Sequence, residues 1–569
     1  MLNISNDQRK LLPTFEQLFT TTAQAPGGVA RLRELILTLA VQGKLVPQDA
    51  SDEPASELLK KISAEKERLI AEGKIKKDKP LAAITEEDIP FELPAGWEWV
   101  PLGEVIDVIR GITFPASEKT REPAKGRIAC LRTANIQHEI EWDDILYVSK
   151  DFMSREEQAL KDEDIVMSMA NSRELVGKVA LVRGIPTGLA TFGGFLSVLR
   201  PYFLAPVYVM NVLRTSYARS ILIDSASQTT NIANISLAKL RPLAFPLPPL
   251  AEQSRIVARV EELMRLCDAL EKKGRLEQTQ HQQLLQAMLD SLTQTTNAQE
   301  LARHWQRLAQ HFDLLIDRPE AVDALEQTIL QLAVRGLLVE QDASDEPASE
   351  LYAKIQAERS GLAAAGLLKK IKQLAQPEIV IGRNGWVDVA LGDLIELISG
   401  QHLGPSEYVE GLSDEMPYLT GPAEFGEKYP TPSRSTNERR SVSIMGDILI
   451  TVKGSGVGKL NIVSQNEIAI SRQLMAIRPL MVNSDFIYMF LETMGKFFQE
   501  KTVGIAIPGI GREDVNMAKI GLPPFAEQSR IVARVTELRA LCQQLRDKLT
   551  QARHTQTQLA QAWVEQAAA

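Results

Sequence analysis

The segment QDASDEPASEL occurs twice, at Gln48–Leu58 and at Gln341–Leu351, 293 positions apart. The match runs without a gap over Val29–Ile62 and Val322–Ile355, where 23 of 34 positions are identical. A second repeat, AEQSRIVARV, lies at Ala251–Val260 and Ala526–Val535, offset by 275 and preceded by LPPL in one copy and LPPF in the other. Two near-identical segments require two near-identical environments, so this repetition constrains the fold more than any local propensity. Between the anchors the halves diverge but keep a frame. GWEWVPLGEVIDVIRG (Gly96–Gly111) parallels GWVDVALGDLIELISG (Gly385–Gly400), DEDIVMSMANSRELVGKVALV parallels GDILITVKGSGVGKLNIV, and FLSVLRP parallels QLMAIRP. Residues 1–28 align with 295–321, placing Phe19 on Phe312, and the second half lacks that tail at its own end. The chain is thus a ring cut at one point, with 293 residues in one half-turn and 276 in the other. This circular duplication predicts an internal pseudo-two-fold axis with the termini close together.

The length of 569 residues predicts about three to five compact units. A formal net charge of -9 excludes binding of polyanions by bulk positive charge, though not by a local patch. The three cysteines, Cys130, Cys267 and Cys542, build no disulfide framework and suit a reducing compartment. The six histidines never form HxxxH or HExxH, so no metal site is expected. No run of 18 apolar residues exists and the N-terminus lacks the apolar core of a signal peptide, which predicts a cytoplasmic protein with no membrane partner.

The two AEQ segments predict long helices. Pro-Pro just before them suits a first helical turn, where Glu252 and Glu527 complement the dipole. The apolar stripes Ile256, Val260, Leu263, Cys267, Leu270 and Ile531, Val535, Leu538, Cys542, Leu545 step by 4,3,4,3. They predict coiled-coil helices of about 40 residues that pack antiparallel as a spacer and subunit interface. Leu284, Met288 and Leu292 resume the first stripe after a weak zone near Gly274. Residues 29–45 and 322–338 predict amphipathic helices closing near Gly43 and Gly336, and DASDEPASEL starts another, with Ser51 and Asp52 near its N-cap. The divergent blocks carry β-type runs with Gly and Pro punctuation, and Trp97 and Trp386 open them as core anchors. The expected class is α+β, with two mixed α/β domains separated by the long helices. The segments are 1–95 (helical), 96–250 (first variable domain), 251–379 (spacer helix plus helical repeat), 380–525 (second variable domain) and 526–569 (second spacer helix).

Catalytic motifs are missing. KGSGVGKLN (Lys453–Asn461) has the wrong spacing for a phosphate loop, and Leu460 stands where Ser or Thr would hold magnesium; a strand–turn–strand is expected instead. LPPF lacks the Asn or Asp that opens the amino-methyltransferase motif. His304 and His311, seven apart on an expected helix, suit an interface or core.

FPLPPLAEQSRIVARV (Phe245–Val260), its copy LPPFAEQSRIVARV, GDILITVKGSGVGK (Gly446–Lys459) and QTTNIANISLAKL (Gln228–Leu240), over essentially the whole chain, closely resemble the specificity (S) subunit of type I restriction-modification enzymes. The extended repeat with QDASDEPASEL looks like the longer subgroup. The resemblance implies that each variable block is a target recognition domain reading one half of a split double-stranded DNA site. The helices would fix the gap, and the repeats would bind two modification (M) subunits. That assembly methylates adenine N6 with S-adenosylmethionine held by M; two motor-nuclease (R) subunits add cleavage driven by ATP with Mg2+. No catalytic residue or cofactor is expected in this chain. Bidentate or donor–acceptor loop residues are the candidates for reading bases: Asn171, Ser172, Arg173, Lys178, Thr229, Thr230 and Asn231 in the first domain, and Lys453, Ser455, Lys459, Arg472, Gln473 and Arg512 in the second. Arg200 and Arg478 are matched between domains expected to read different bases, so a structural or phosphate-contacting role is expected for them. Gly96–Pro249 holds 17 basic and 17 acidic residues and Glu378–Phe525 holds 13 and 18, so phosphate contacts must be local or come from M. Two rival readings are a symmetric adaptor that joins two protein partners without touching DNA, and a self-sufficient methyltransferase.

Overall fold

The structure, a computed structural model, describes residues 15–75, 79–224, 227–229, 232–295, 298–366, 378–379, 385–502 and 509–568. It divides into two compact units. One comprises the described residues up to Leu276 together with those from Arg553 onward; the other is Glu277–Ala552.

The first unit opens with helices α1 (Phe15–Gln24), α2 (Gly28–Val41) and α3 (Ala55–Ala71). Its strands are β1 (Glu98–Pro101), β2 (Ile106–Arg110), β3 (Arg127–Leu131), β4 (Leu146–Ser149), β5 (Ile165–Ser168), β6 (Ala170–Asn171), β7 (Val179–Leu181), β8 (Ala190–Phe192), β9 (Leu196–Pro201), β10 (Ser227–Thr229), β11 (Ile232–Asn234) and β12 (Ala244–Leu247). Helix α4 (Pro206–Arg214) follows β9, and α5 (Leu250–Thr293), the first long helix, follows β12. The second unit contains α6 (Ala298–Gln310), α7 (Pro319–Val334) and α8 (Ala348–Ala364). Its strands are β13 (Glu378–Ile379), β14 (Val387–Ala390), β15 (Ile395–Ser399), β16 (Val409–Glu410), β17 (Met416–Leu419), β18 (Arg434–Thr436), β19 (Val442–Ile444), β20 (Ile448–Thr451), β21 (Leu460–Ile462), β22 (Glu467–Ile470), β23 (Leu474–Pro479) and β24 (Lys519–Leu522). Helix α9 (Ser484–Thr493) follows β23, and α10 (Phe525–Ala568), the second long helix, follows β24.

The two heads share one scaffold. An antiparallel sheet has the order β2-β9-β5-β7 in the first and β15-β23-β20-β21 in the second. Its inner strands β5 (IVMS) and β20 (ILIT) are buried throughout because both faces are covered, and successive side chains go to different cores. In β5, Ile165 and Met167 join the core shared with α2, α4 and the long helix, while Val166 faces a second core under β3 and β8. In β20, Ile448 and Ile450 face the helical core and Leu449 the other. The outer sheet is β4-β3-β8 in the first head; the second keeps that pattern as β18-β17-β22 and adds β16 and β19 at its edges. Gly111 and Gly400 are matched because the backbone crosses at van der Waals distance there. A Cβ would lie 2.2 Å from the Gly193 carbonyl oxygen and 2.0 Å from that of Ser471, respectively.

The two exact repeats meet each other in space, once per unit. Trp97 Nε1 donates to Glu252 Oε2 (2.9 Å) and Gln48 Nε2 to Glu252 Oε1 (2.7 Å). Trp386 Nε1 donates to Glu527 Oε2 (2.9 Å), and Gln341 opposes the burial-driven rise in the pKa of the same carboxylate. Arg255 pairs with Asp52 at 2.5 Å and Arg530 with Asp345 at 2.6 Å. Gln253 and Gln528 accept from the backbone N–H of Ala205 and Asn483, tying each head to its long helix. Ala55 N–H donates to the Gly96 carbonyl and Ala348 N–H to that of Gly385. Trp97 and Trp386 are buried, and each lies edge-on to an aromatic ring of the following helix, Tyr208 or Phe486.

Four local expectations are corrected. Asp52 is not a cap of α3: the residue before the helix is Pro54, Ser51 turns back to Asp49, and Asp52 pairs with Arg255. Of the expected resumption of the α5 stripe, Leu292 is buried and Met288 packs partly buried, but Leu284 is exposed, and Leu285 and Leu289 are the other buried positions. The helix stays continuous through Gly274, but its buried face rotates by one residue as its packing partners change. Ile256, Val260, Leu263 and Cys267 are buried in the core formed with α2 and α4, with Leu270 packed at its margin. Ile531, Val535 and Cys542 are likewise buried, with Leu538 and Leu545 partly so. These stripes therefore build unit cores and are not a bare helix–helix seam. Finally, His304 and His311 do not share a helix: α6 ends at Gln310 and His311 precedes the short turn Phe312–Leu315.

Candidate nucleic-acid interface

The same three loops come together at the same end of the four-stranded sheet in each head. In the first, the segment after β5 is held between the other two: Met169 N–H donates to the Phe195 carbonyl (2.9 Å), and Ile235 N–H donates to the Met169 carbonyl (2.8 Å). In the second, Val452 N–H donates to the Gln473 carbonyl (2.8 Å), and Ile510 N–H donates to the Val452 carbonyl (3.0 Å). The scaffold under these loops is alike in the two heads, while the loop side chains differ.

Asn171 lies on β6, paired with Ala233 of β11 in the small sheet β10-β11-β6. Its Oδ1 accepts from Ser172 N–H, so both residues sit beside the β10–β11 hairpin. Thr229 ends β10; Thr230 and Asn231 lie outside the described residues. Arg173 is exposed and makes a loose pair with Asp224 at 3.3 Å. Lys178 does not join this edge: its Nζ donates to Gln137 Oε1 (3.0 Å), and it lines a cleft with Arg33, Arg183 and Arg214. In the second head Lys453 bridges to Gly509, and Lys453, Ser455, Lys459, Arg472 and Gln473 are exposed. Arg512 is held structurally, its guanidinium donating to Ser399 Oγ and the Leu397 carbonyl, both at 2.7 Å. Lys453–Lys459 is the turn between antiparallel β20 and β21, a strand–turn–strand.

Arg200 and Arg478 are structural. Arg200 forks onto Asp164 (2.6 and 2.8 Å) and Arg478 onto Asp447 (2.9 and 2.8 Å), both carboxylates being buried. Asp447, hydrogen-bonded to Arg478, raises the guanidinium pKa further above its usual value. Sequence reasoning missed Phe195, an exposed aromatic on the loop just before β9 in the first head. The signal was present in the alignment of GGFLSVLRP with SRQLMAIRP, which sets Phe195 on Gln473.

Among the described residues no group of three or more His, Cys, Asp or Glu could hold a metal ion. No helix among them is long and apolar enough to cross a membrane. Burial pushes the Cys130 thiol up to about 12, and Cys267 and Cys542, equivalent buried positions on the two long helices, are also raised by burial. All three are core residues.

The profile of the type I restriction modification DNA specificity domain matches this chain twice, at residues 94–281 and 383–552. The type I restriction enzyme EcoEI specificity subunit of Escherichia coli is 33% identical over 95% of this chain and 94% of its own length. The EcoAI specificity subunit of E. coli is 34% identical over the same shares. The crystal structure of the HsdS subunit from Thermoanaerobacter tengcongensis aligns over 84% of this chain and 98% of its own, at 21% identity and a TM-score of 0.41. With two copies of the domain over most of its length and full-length relatives at this identity, the chain belongs to the specificity subunits of type I restriction-modification enzymes.

Proposed function

We propose that this subunit reads an asymmetric, bipartite double-stranded DNA site, one half per head. The observation that carries this reading is the paired loop edge: one scaffold used twice, with Asn171, Ser172 and the β10–β11 hairpin on one copy and Lys453, Ser455, Arg472 and Gln473 on the other. Amide, hydroxyl and guanidinium groups on an exposed edge are the donors and acceptors that read base edges in a groove. Two different edges require two different half-sites. The duplicated Gln–Trp–Glu–Arg–Asp node presents the same framework twice, which suits two copies of one partner, the M subunit. The chain contributes specificity; adenine N6 methylation belongs to M with S-adenosylmethionine, and ATP- and Mg2+-dependent cleavage to two R subunits. The near-balanced charge of the heads leaves most non-specific attraction to those partners.

The test is a DNA shift assay with this chain purified together with its M subunit. The expected outcome is retention of one split sequence against excess unrelated DNA, with weak binding by the chain alone. Equal retention of all sequences by the complex would favour a protein adaptor.

A further inference from the structure

Phe195 stands where neither folding nor scaffold geometry requires it. Its side chain is 66% exposed and belongs to none of the apolar cores of the first head. Single exposed apolar residues are common on surfaces, so exposure by itself assigns nothing. Position does. The Phe195 backbone carbonyl is bonded to Met169 N–H, which places it beside the middle one of the three converging loops, against the residue that immediately precedes β6 and lies two before Asn171. At the same place in the second head stand Arg472 and Gln473, both exposed, with the Gln473 carbonyl bonded to Val452 N–H in the same manner. Gly193 and Gly194 form the turn before Phe195, with Leu196 N–H closing onto the Gly193 carbonyl at 2.8 Å. Gly194 is exposed and has no side chain to shield the ring. One head thus offers a bare aromatic where the other offers polar groups.

We propose that Phe195 is a specificity-determining residue that packs against the C5-methyl group of a thymine in the major groove. This rests on the reading of the heads as DNA-recognition domains and adds the chemistry of one contact. A phenylalanine has no donor or acceptor, so it cannot discriminate bases by hydrogen bonds. Among the four bases only thymine presents an apolar group in the major groove. The residues at the equivalent point of the second head, Arg472 and Gln473, hydrogen-bond instead, so the two half-sites differ at the base each loop faces.

The experiment uses the full chain with its M subunit. The methylated motif is first determined by methylome sequencing for the wild type, for Phe195→Ala and for Phe195→Leu. Phe195→Ala is expected to relax one thymine of one half-site towards cytosine and to leave the other half-site unchanged; Phe195→Leu keeps most of the preference. Binding is then compared on duplexes carrying thymine or uracil at that position, which differ only in the methyl group. The wild type should lose about fourfold in affinity on uracil, the size of one buried methyl group, and Phe195→Ala should not distinguish the two. An unchanged motif in Phe195→Ala, or a wild type indifferent to uracil at every thymine, overturns the proposal while leaving bipartite recognition intact. Failure to find any split motif would instead overturn the underlying reading.

Discussion

At the scale of single residues, the repeated motifs are explained by what their side chains touch. Glu252 is the acceptor shared by Trp97 and Gln48, at the buried start of α5. Burial raises its pKa, and the hydrogen bonds from Trp97 and Gln48 oppose that shift. Glu252→Ala leaves the indole N–H without a partner and removes one of the two acceptors of the Gln48 amide, whose Nε2 also donates to the Gly43 carbonyl, a cost of about 2–3 kcal/mol, measurable by urea unfolding. Glu252→Gln keeps an acceptor for Trp97 and is expected to lie close to wild type. The raised folded pKa also sets a sign. The stability of the wild type relative to Glu252→Gln is greatest below the ordinary glutamate value of 4.5 and falls as pH rises through the raised folded value, because the folded state then carries a buried charge. Paired unfolding curves from pH 4 to 8 check this.

At the scale of elements, the halves differ where their helices meet. Arg33 of α2 pairs with Asp268 and Glu271 of α5. One of these pairs is inverted in the second unit: Glu326 of α7 and Arg546 of α10 stand at the positions of Arg33 and Glu271 and pair with each other, while Arg539, which also pairs with Glu326, stands where the first long helix has Met264. The identical node cannot distinguish one copy of a helix from the other, whereas inverted charges repel the wrong partner. Arg33→Glu should lower the melting temperature, and adding Glu271→Arg and Asp268→Lys should restore much of it; additive losses in the combined variant would show the charges do not interact. The long helices carry a second expectation. Inserting four residues into both α5 and α10 lengthens each by about 6 Å, close to two base pairs of duplex at 3.4 Å each. The gap between half-sites should grow by about that much with the half-site sequences unchanged, and methylome sequencing reads both.

At the scale of the whole molecule, each head has a core of its own beneath its outer sheet, shares a second core with its helices, and is joined to its long helix through Glu252, Gln253 or Glu527, Gln528. Exchanging residues 96–250 for the head of another member of the family leaves Glu252 and Gln253 in place to accept from the incoming head and should replace one half-site only. A change in both half-sites, or in neither, would sink the modular reading.

The sequence alone determined the duplication, the circular order of its pieces, the long helices and the absence of catalytic motifs, because each is written in local identity, periodicity or spacing. It also marked Asn171, Ser172, Lys453 and Gln473 from loop chemistry. Only the tertiary structure decided which loops share an edge, since β6 meets β11 across more than 60 positions of chain, and such pairing leaves no local trace. It separated Arg472 from Arg512, equally exposed but bonded to β15, and turned Lys178 into a side cleft. It rotated the buried stripe of α5 past Gly274, because packing partners, not heptad spacing, decide which face of a helix is covered. It also singled out Phe195, whose significance lies in being exposed, a property that a phenylalanine in an apolar run does not display in one dimension.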